Sequence, residues 1–307
     1  MAAEVHRELH GGQYDLVLLN GTDLLWLLDE IPDSIPRAVV AHNVEHRLFG
    51  AQLRSGGWIP KQVRRPLGWD LRRLGRYELA GIERARNVIA LSAQDAAYVE
   101  KHCSSLHTLV LPPAFAYPPC PRRPPPGDGE PLQIGFLGNF GWWPNRQALN
   151  WFLTKVFPQA GRGIHLQLFG EQSTNGRWPE GVTAHGYVPE VRKVFGLCHF
   201  MICPVLGGGG VSIKAAEAIY NRVPILATPF GVRGLPLSND PAIVLRESAQ
   251  DWTDFLSSRA AHALAGVSVL EANSRRFLSD DRGTSLQSYV LRVLGSKVGA
   301  GQQESDE

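Results

Sequence analysis

The 307-residue chain is poor in the features that mark membrane and secreted proteins. No apolar run approaches the roughly 18–20 residues of a membrane span, so no such span is expected. The first residues, "MAAEVHRELHGGQYD", are polar and amphipathic and do not read as a secretory signal. There are only four cysteines (Cys103, Cys120, Cys198 and Cys203), and none form a CxxC pair. Cys198 and Cys203 sit in apolar sequence and read as reduced core residues, which favours a cytoplasmic protein over a disulfide-bonded one. Charge is nearly balanced at +2, so nothing global points to nucleic acid. No repeat of solenoid period occurs. No DxD occurs either, so the usual carboxylate site for a metal–diphosphate complex is missing and no metal is expected.

What is present is an ordinary hydrophobic fraction of 44% and a length that suggests two domains. "YDLVLLN" (14–20), "RAVVAHN" (37–43), "NVIALS" (87–92) and "HTLVLPP" (107–113) predict strands. A long helical stretch interrupted by Pro66 fills the space between the second and third, and "DAAYVEKH" predicts a helix after the third. A second series follows: strands at 132–138, 164–170, 182–188 and 223–228, with helices between and after them. The late helices are "DWTDFLSSRAAHALAG" and "SLQSYVLRVLGSKV", and 299–307 reads as a frayed tail. Alternating strands and helices predict α/β parallel sheets. Residues 112–131 are packed with proline and read as a stiff interdomain linker. The expected division is 1–128, 129–276, and a helix with tail over 277–307.

The segment "CPVLGGGGVSIKAAEAI" (203–219) carries the strongest local signal. "HFMICPV" (199–205) reads as a buried strand, with a helical segment as the alternative for so short a run. Four consecutive glycines, Gly207, Gly208, Gly209 and Gly210, then remove every side chain, which suits close approach to the backbone. From Val211 the pattern is helical, with Lys214 and Glu217 on one face. A helix N-terminus after such a loop offers unpaired N–H groups and partial positive charge to a phosphate, and Lys214 adds a cation. Glu217, one turn deeper, is placed for sugar hydroxyls. The alternative is a flexible loop with a solvated Lys/Glu pair. No GK[ST] follows the glycines, which excludes the P-loop of ATPases. His42-Asn43, Gly138-Asn139 and Gly170-Glu171 also fall at carboxyl ends of expected strands, where open α/β sheets bind ligands.

These stretches, with "GFLGNFGWWPNRQALNWFLTKVFP" and "HGYVPEVRKVFGLCHFMICPVLGGGGVSIKAAEAIYNRVPILATPFGVRGL", resemble the C-terminal domain of retaining GT-B glycosyltransferases of family 4. "YDLVLLN…AVVAHNVEHRLF" resembles the end of their N-terminal domain. The resemblance implies two Rossmann-like parallel-sheet domains facing a cleft, the N-terminal one shortened by about 80–100 residues relative to the family, which leaves it ~110 residues, near the lower end of typical domain size. It implies metal-independent transfer, with retention, of a sugar from a nucleotide-diphosphate sugar to a hydroxyl of a glycan, lipid-linked or small-molecule acceptor. Gly208, Gly209, Gly210, Val211 and Ser212 would cradle the diphosphate, Lys214 would neutralise it and Glu217 would hold the ribose. Tyr187 and Val188 would border the base, with Gly138 and Asn139 beside the donor. His42 would lie near the transferred sugar as a catalytic group. Two departures stand out. The family often carries a glutamate eight positions before Glu217, where this chain has Gly209, and the arginine–lysine pair at the diphosphate is represented at most by Arg146. A nucleotide-sugar epimerase and a non-catalytic nucleotide-sugar-binding fragment are the rival functions.

Other residues have plainer readings beside functional ones. His42 alone is equally a satisfied core histidine. Glu45 and His46 read as helix-surface residues, and Trp142 and Trp143 as packing residues. Residues 47–86 hold ten Arg/Lys against three Asp/Glu, together with Trp58 and Trp69. This stretch is either a solvated basic helix or a peripheral contact with anionic lipid at the inner face of a membrane.

Overall fold

Short aliphatic runs bounded by polar turns form ten strands among the described residues, and every pairing between them is parallel. The computed structural model describes residues 2–55, 61–160 and 163–300. Trp58 and residues 301–307 of the expected tail lie outside the described residues, and 299–300 belong to the helix Asp280–Ala300. The chain divides into two units. One comprises 1–113, 209–211 and 279–307, and the other 114–208 and 212–278.

The first unit is built on β1 (Val17–Leu19), β2 (Arg37–Ala41), β3 (Asn87–Ala90) and β4 (His107–Val110), in the spatial order β1-β2-β3-β4. Leu28, Val39, Ile82, Val88 and Val99 form its main core. The helix Asp280–Ala300 closes a second small core by packing Tyr289 and Val293 with Ile89. The Tyr289 hydroxyl donates to the His107 carbonyl at 2.9 Å. Arg282 donates to the carbonyls of Pro112 and Pro113, which ties the same helix to the end of the strand region. The helix Lys61–Ala85 runs on through Pro66 instead of breaking there. Proline removes one intrahelical donor, and Pro66 lies near the N-terminal end of the helix, where that loss interrupts few bonds.

The second unit carries β5 (Leu132–Leu137), β6 (Ile164–Phe169), β7 (Val182–Ala184), β8 (Phe200–Cys203), β9 (Ile225–Ala227) and β10 (Ile243–Leu245). Their order is β10-β9-β8-β5-β6-β7. Read from β5, this is the doubly wound order 3-2-1-4-5-6, and it places a topological switch point between β5 and β8. The choice at 199–205 therefore resolves as strand, because β8 is central and buried at every residue. Trp252, Phe136, Phe152 and Phe277 fill the core beneath it. The helix expected over 251–266 is two helices, Ala249–Leu256 and Arg259–Gly266. Ser258 ends the run by capping the second one, accepting from the Ala260 N–H at 3.2 Å.

The proline-rich segment is part of the second unit from Ala114 onward, ahead of the boundary expected at 128. Side chains between the prolines explain this. Phe115 and Tyr117 pack on the core beside Tyr220, and the Cys120 N–H donates to Asn221 Oδ1 at 3.0 Å. Arg122 donates to the carbonyls of Val267 and Ala265.

Within the first unit, Glu78 is only 2% exposed and stands at the N-terminus of the helix Glu45–Ser55. It accepts the N–H groups of Glu45 (2.7 Å) and His46 (3.1 Å) and pairs with His46 Nδ1 at 2.6 Å. His46 Nε2 lies 2.8 Å from the Tyr98 hydroxyl. His46 is therefore no surface residue, because its partner comes from a different helix. Burial pushes the Glu78 carboxyl up, but its bonds from His46 and from the two N–H groups outweigh burial and hold it below the usual range. A depressed carboxyl stabilises the fold fully above its unfolded value near ~4.3 and loses that contribution as pH falls through the folded value. Glu78→Gln is expected to destabilise by about 2–3 kcal/mol at neutral pH. The gap to the wild type should shrink as pH is lowered toward 3. Urea unfolding across that range measures it, and a gap independent of pH would show that the charge on Glu78 is not the stabilising element.

Candidate functional site

The carboxyl ends of β5, β6 and β8 in the second unit bring together residues far apart in sequence. Gly138 and Asn139 leave β5, Gly170 and Glu171 leave β6, and Gly207–Gly208 follow β8. Backbone bonds lock these ends together. The Gly138 N–H donates to Phe169 O at 2.9 Å, and Phe140 N–H to Glu171 O at 2.9 Å. Gly170 N–H donates to Gly186 O at 2.7 Å, so the segment carrying Tyr187 and Val188 borders the same end of the sheet. Gly170 has φ +122, and any Cβ there would collide with the Gly138 carbonyl, so this crossing requires glycine.

Lys214 reaches this point from the helix Ile213–Tyr220, which begins directly after the glycine loop with Ser212 at its N-cap position. Its ammonium donates to Asn145 Oδ1 and lies 5.1 Å from the centre of the Phe136 ring. Asn145 is buried, and its Nδ2 donates to Asn139 O at 2.9 Å. Asn139 Nδ2 in turn donates to Glu171 Oε2 at 2.6 Å, and Asn139 Oδ1 accepts the Gly141 N–H at 2.8 Å. Desolvation lowers the Lys214 pKa, while Cys203 nearby opposes that shift. A cation is thus held at the switch point with the Asn145 amide oxygen as its hydrogen-bond partner. The solvated Lys/Glu pair is the wrong picture, since the lysine turns in to the sheet.

Glu217, one turn on, accepts from the Tyr117 hydroxyl at 2.5 Å. Asn221 Nδ2 donates to Tyr117 Oη at 3.3 Å and to Glu217 O at 2.8 Å, while Tyr220 donates to the Tyr117 carbonyl. Burial raises the Glu217 carboxyl, and the Tyr117 bond counters part of that rise. The Tyr117 hydroxyl is pushed well above its ordinary value, chiefly by burial and next by Glu217.

Gly208 (φ +149) and Gly210 (φ +64) take conformations that favour glycine. Gly209, Gly210 and Val211 group with the first unit; there a Cβ on Gly209 would meet Leu48 Cβ at 2.7 Å, and one on Gly210 would strike Asn43. The helical pattern expected from Val211 begins at Ile213. Tyr187 is 69% exposed beyond β7, which ends at Ala184 rather than 188. Trp142 is 47% exposed and so is not a packing residue, and Arg146 is exposed. His42 is exposed at the carboxyl end of β2, with Nε2 2.8 Å from Asn20 Oδ1 at the end of β1, so it is not a core histidine. Asn145 and Tyr117 escaped sequence reading. The first opens a helix whose preceding proline marks only its start, and the second is one aromatic in a run read as linker. Among the described residues no group of three or more His, Cys, Asp or Glu side chains is arranged to hold a metal, and no helix is long and apolar enough to cross a membrane. All four cysteines are free, with Cys103, Cys198 and Cys203 buried.

The Tyr117 bond favours the ionised form of Glu217, so Tyr117→Phe should raise the Glu217 carboxyl pKa further. Carbon-detected NMR titration of labelled glutamate reads this directly. An unchanged or lowered value would mean that the hydroxyl does not govern the charge of Glu217.

Comparison with known proteins follows the second unit most closely. Residues 131–258 match the sequence model of the family described as Glycosyl transferases group 1. No curated protein matches the sequence. Solved structures share the fold. TarM of S. aureus superposes with a TM-score of 0.69 at 12% identity, covering 95% of this chain and 58% of TarM. The chain thus spans under two thirds of TarM. Sucrose-phosphate synthase of Thermosynechococcus elongatus gives 0.69 at 15% identity, covering 96% and 77%. HepE of Anabaena, solved with UDP and glucose, gives 0.62 at 14% identity, covering 100% and 81%. The fold of this chain is therefore that of the GT-B glycosyltransferases, and its second unit carries the match to the Glycosyl transferases group 1 family.

Proposed function

We propose that the protein transfers a sugar from a nucleotide-diphosphate sugar to a hydroxyl acceptor, with the donor bound at the carboxyl end of the second sheet. The observation that carries this reading is the convergence of Lys214, Asn145 and Asn139 at the switch point, inside the segment that matches the glycosyltransferase family. Open α/β sheets bind nucleotides at such points. Lys214 and the N–H groups around Ser212 take the diphosphate, Glu217 takes the ribose hydroxyls, and Tyr187 and Val188 border the base. Gly138 and Asn139 line the donor beside them, with Gly208, Gly209, Gly210 and Val211 supplying backbone that a phosphate can approach.

The chemistry follows from what leaves. As the glycosidic carbon–oxygen bond breaks, negative charge grows on the nucleoside diphosphate. A fixed cation and helix N–H groups stabilise that charge without a metal, and removal of one such contact typically costs about 10²–10³ in rate. The acceptor oxygen forms the new bond and its proton passes to a leaving phosphate oxygen, which is the front-face, retaining course. His42, carried by the first unit, is assigned to the transferred sugar, and the first unit to the acceptor.

In this structure the ammonium is engaged with Asn145 and a ring face, so a bound diphosphate supplies the stronger partner. Charge-assisted hydrogen bonds of about 1.5–3 kcal/mol correspond to roughly 10- to 150-fold in affinity. Lys214→Met should weaken UDP binding by that factor and leave uridine binding nearly unchanged, as read by calorimetry. Equal losses for both ligands would place the lysine away from the phosphates. Incubation of the chain with nucleotide sugars and hydroxyl acceptors tests the reaction class. Free nucleoside diphosphate with a glycosylated acceptor supports transfer. An altered sugar on intact nucleotide would instead identify an epimerase, and binding without turnover a donor-binding fragment.

A further inference from the structure

The helix Lys61–Ala85 presents two opposite faces. Its inner face packs Ile82 and Glu78 into the first unit, with Gly75 against His46 and Gly81 against Leu25. Its outer face carries Trp69, 67% exposed, with Arg72, Arg73 and Arg76 one and two turns on. These four side chains border a surface depression of about 470 Å³. Leu67 and Tyr77 on the same helix are also exposed. Among the described residues, none of these three guanidinium groups has a carboxylate partner. By contrast Arg84 of the same helix pairs with Asp29 at 2.6 Å.

We propose that this face of the helix docks on an anionic lipid surface, with Trp69 in the headgroup layer and Arg72, Arg73 and Arg76 on lipid phosphates. Two features select lipid over other anions. An indole with an apolar body and a polar N–H suits the interface between hydrocarbon and water, and it stands among the arginines here rather than apart from them. The patch runs from residue 69 to 76, about 10 Å along one helix, which matches a few headgroups and is too short to track a nucleic-acid backbone. Unpaired guanidinium groups favour association because no internal ion pair must break first. Arginine contributes about fivefold per residue near an anionic surface, so three of them give weak, reversible and salt-sensitive binding. Such binding would hold the enzyme beside acceptors that are themselves embedded in a membrane.

Co-sedimentation of the full chain with vesicles tests this without donor or acceptor, so its outcome is independent of the transferase assignment. Vesicles of pure phosphatidylcholine and of phosphatidylcholine with 30% phosphatidylglycerol are the probes, at about 0.1 M and 0.5 M salt, since the Debye length falls from ~10 Å toward a few Å. The expected result is partition onto the anionic vesicles only, lost at high salt. The triple variant Arg72→Gln, Arg73→Gln, Arg76→Gln should lower partition about 100-fold. Trp69→Ala should lower it several-fold with the salt dependence retained. All four positions are exposed, and circular dichroism verifies that the variants fold. Equal binding to neutral vesicles, or no change in the triple variant, overturns the proposal. Binding to a single-stranded oligonucleotide in place of vesicles also overturns it, and would make the patch a nucleic-acid contact.

Discussion

A half-buried ammonium group ties together the polar contacts at the carboxyl end of the second sheet. Lys214 lies over the Phe136 ring with its charge directed at Asn145 Oδ1. Asn145 can satisfy both neighbours in only one amide orientation, its oxygen toward the ammonium and its nitrogen toward the Asn139 carbonyl. Asn139 is oriented in turn by Glu171 and Gly141. A chain of hydrogen bonds thus runs from the helix that follows β8 to the ends of β5 and β6, which backbone bonds already join. Partial desolvation makes each contact stronger than it would be in water.

The proline-rich segment acts as a strap on that helix. Proline stiffens the chain, and the residues between prolines do the fastening: Tyr117 to Glu217, Cys120 to Asn221, Arg122 to two carbonyls. The result is that Glu217 is held by a residue one hundred positions earlier. The tyrosine bond fixes Oε1 of this carboxylate and restricts how the group can turn.

The first unit uses the same device with the opposite charge. Glu78, nearly inaccessible to water, takes two orphan N–H groups at a helix start and the ring of His46. A buried carboxylate is costly alone and tolerable when its lone pairs are all met by donors. This arrangement anchors the helix Lys61–Ala85 by its inner face and leaves its arginine-bearing face to solvent.

Much of this protein was legible in the sequence. Strand-length aliphatic runs at regular spacing determined two parallel α/β units, because such runs can be buried only by pairing. The glycine run before Lys214 and Glu217 marked a loop of unusual backbone, because Gly208 and Gly210 take positive φ values that favour glycine. The partners of these residues were not legible. Asn145, Tyr117 and Glu78 have no local pattern to mark them, and each acquires its role by meeting a group that is 69, 100 or 32 positions away. The same holds for His46 and Trp142, whose exposures reversed the expected ones. Local periodicity reports which face of an element is apolar. It carries no record of which polar atom from another element will arrive there, and that is decided only when the tertiary structure removes both from water.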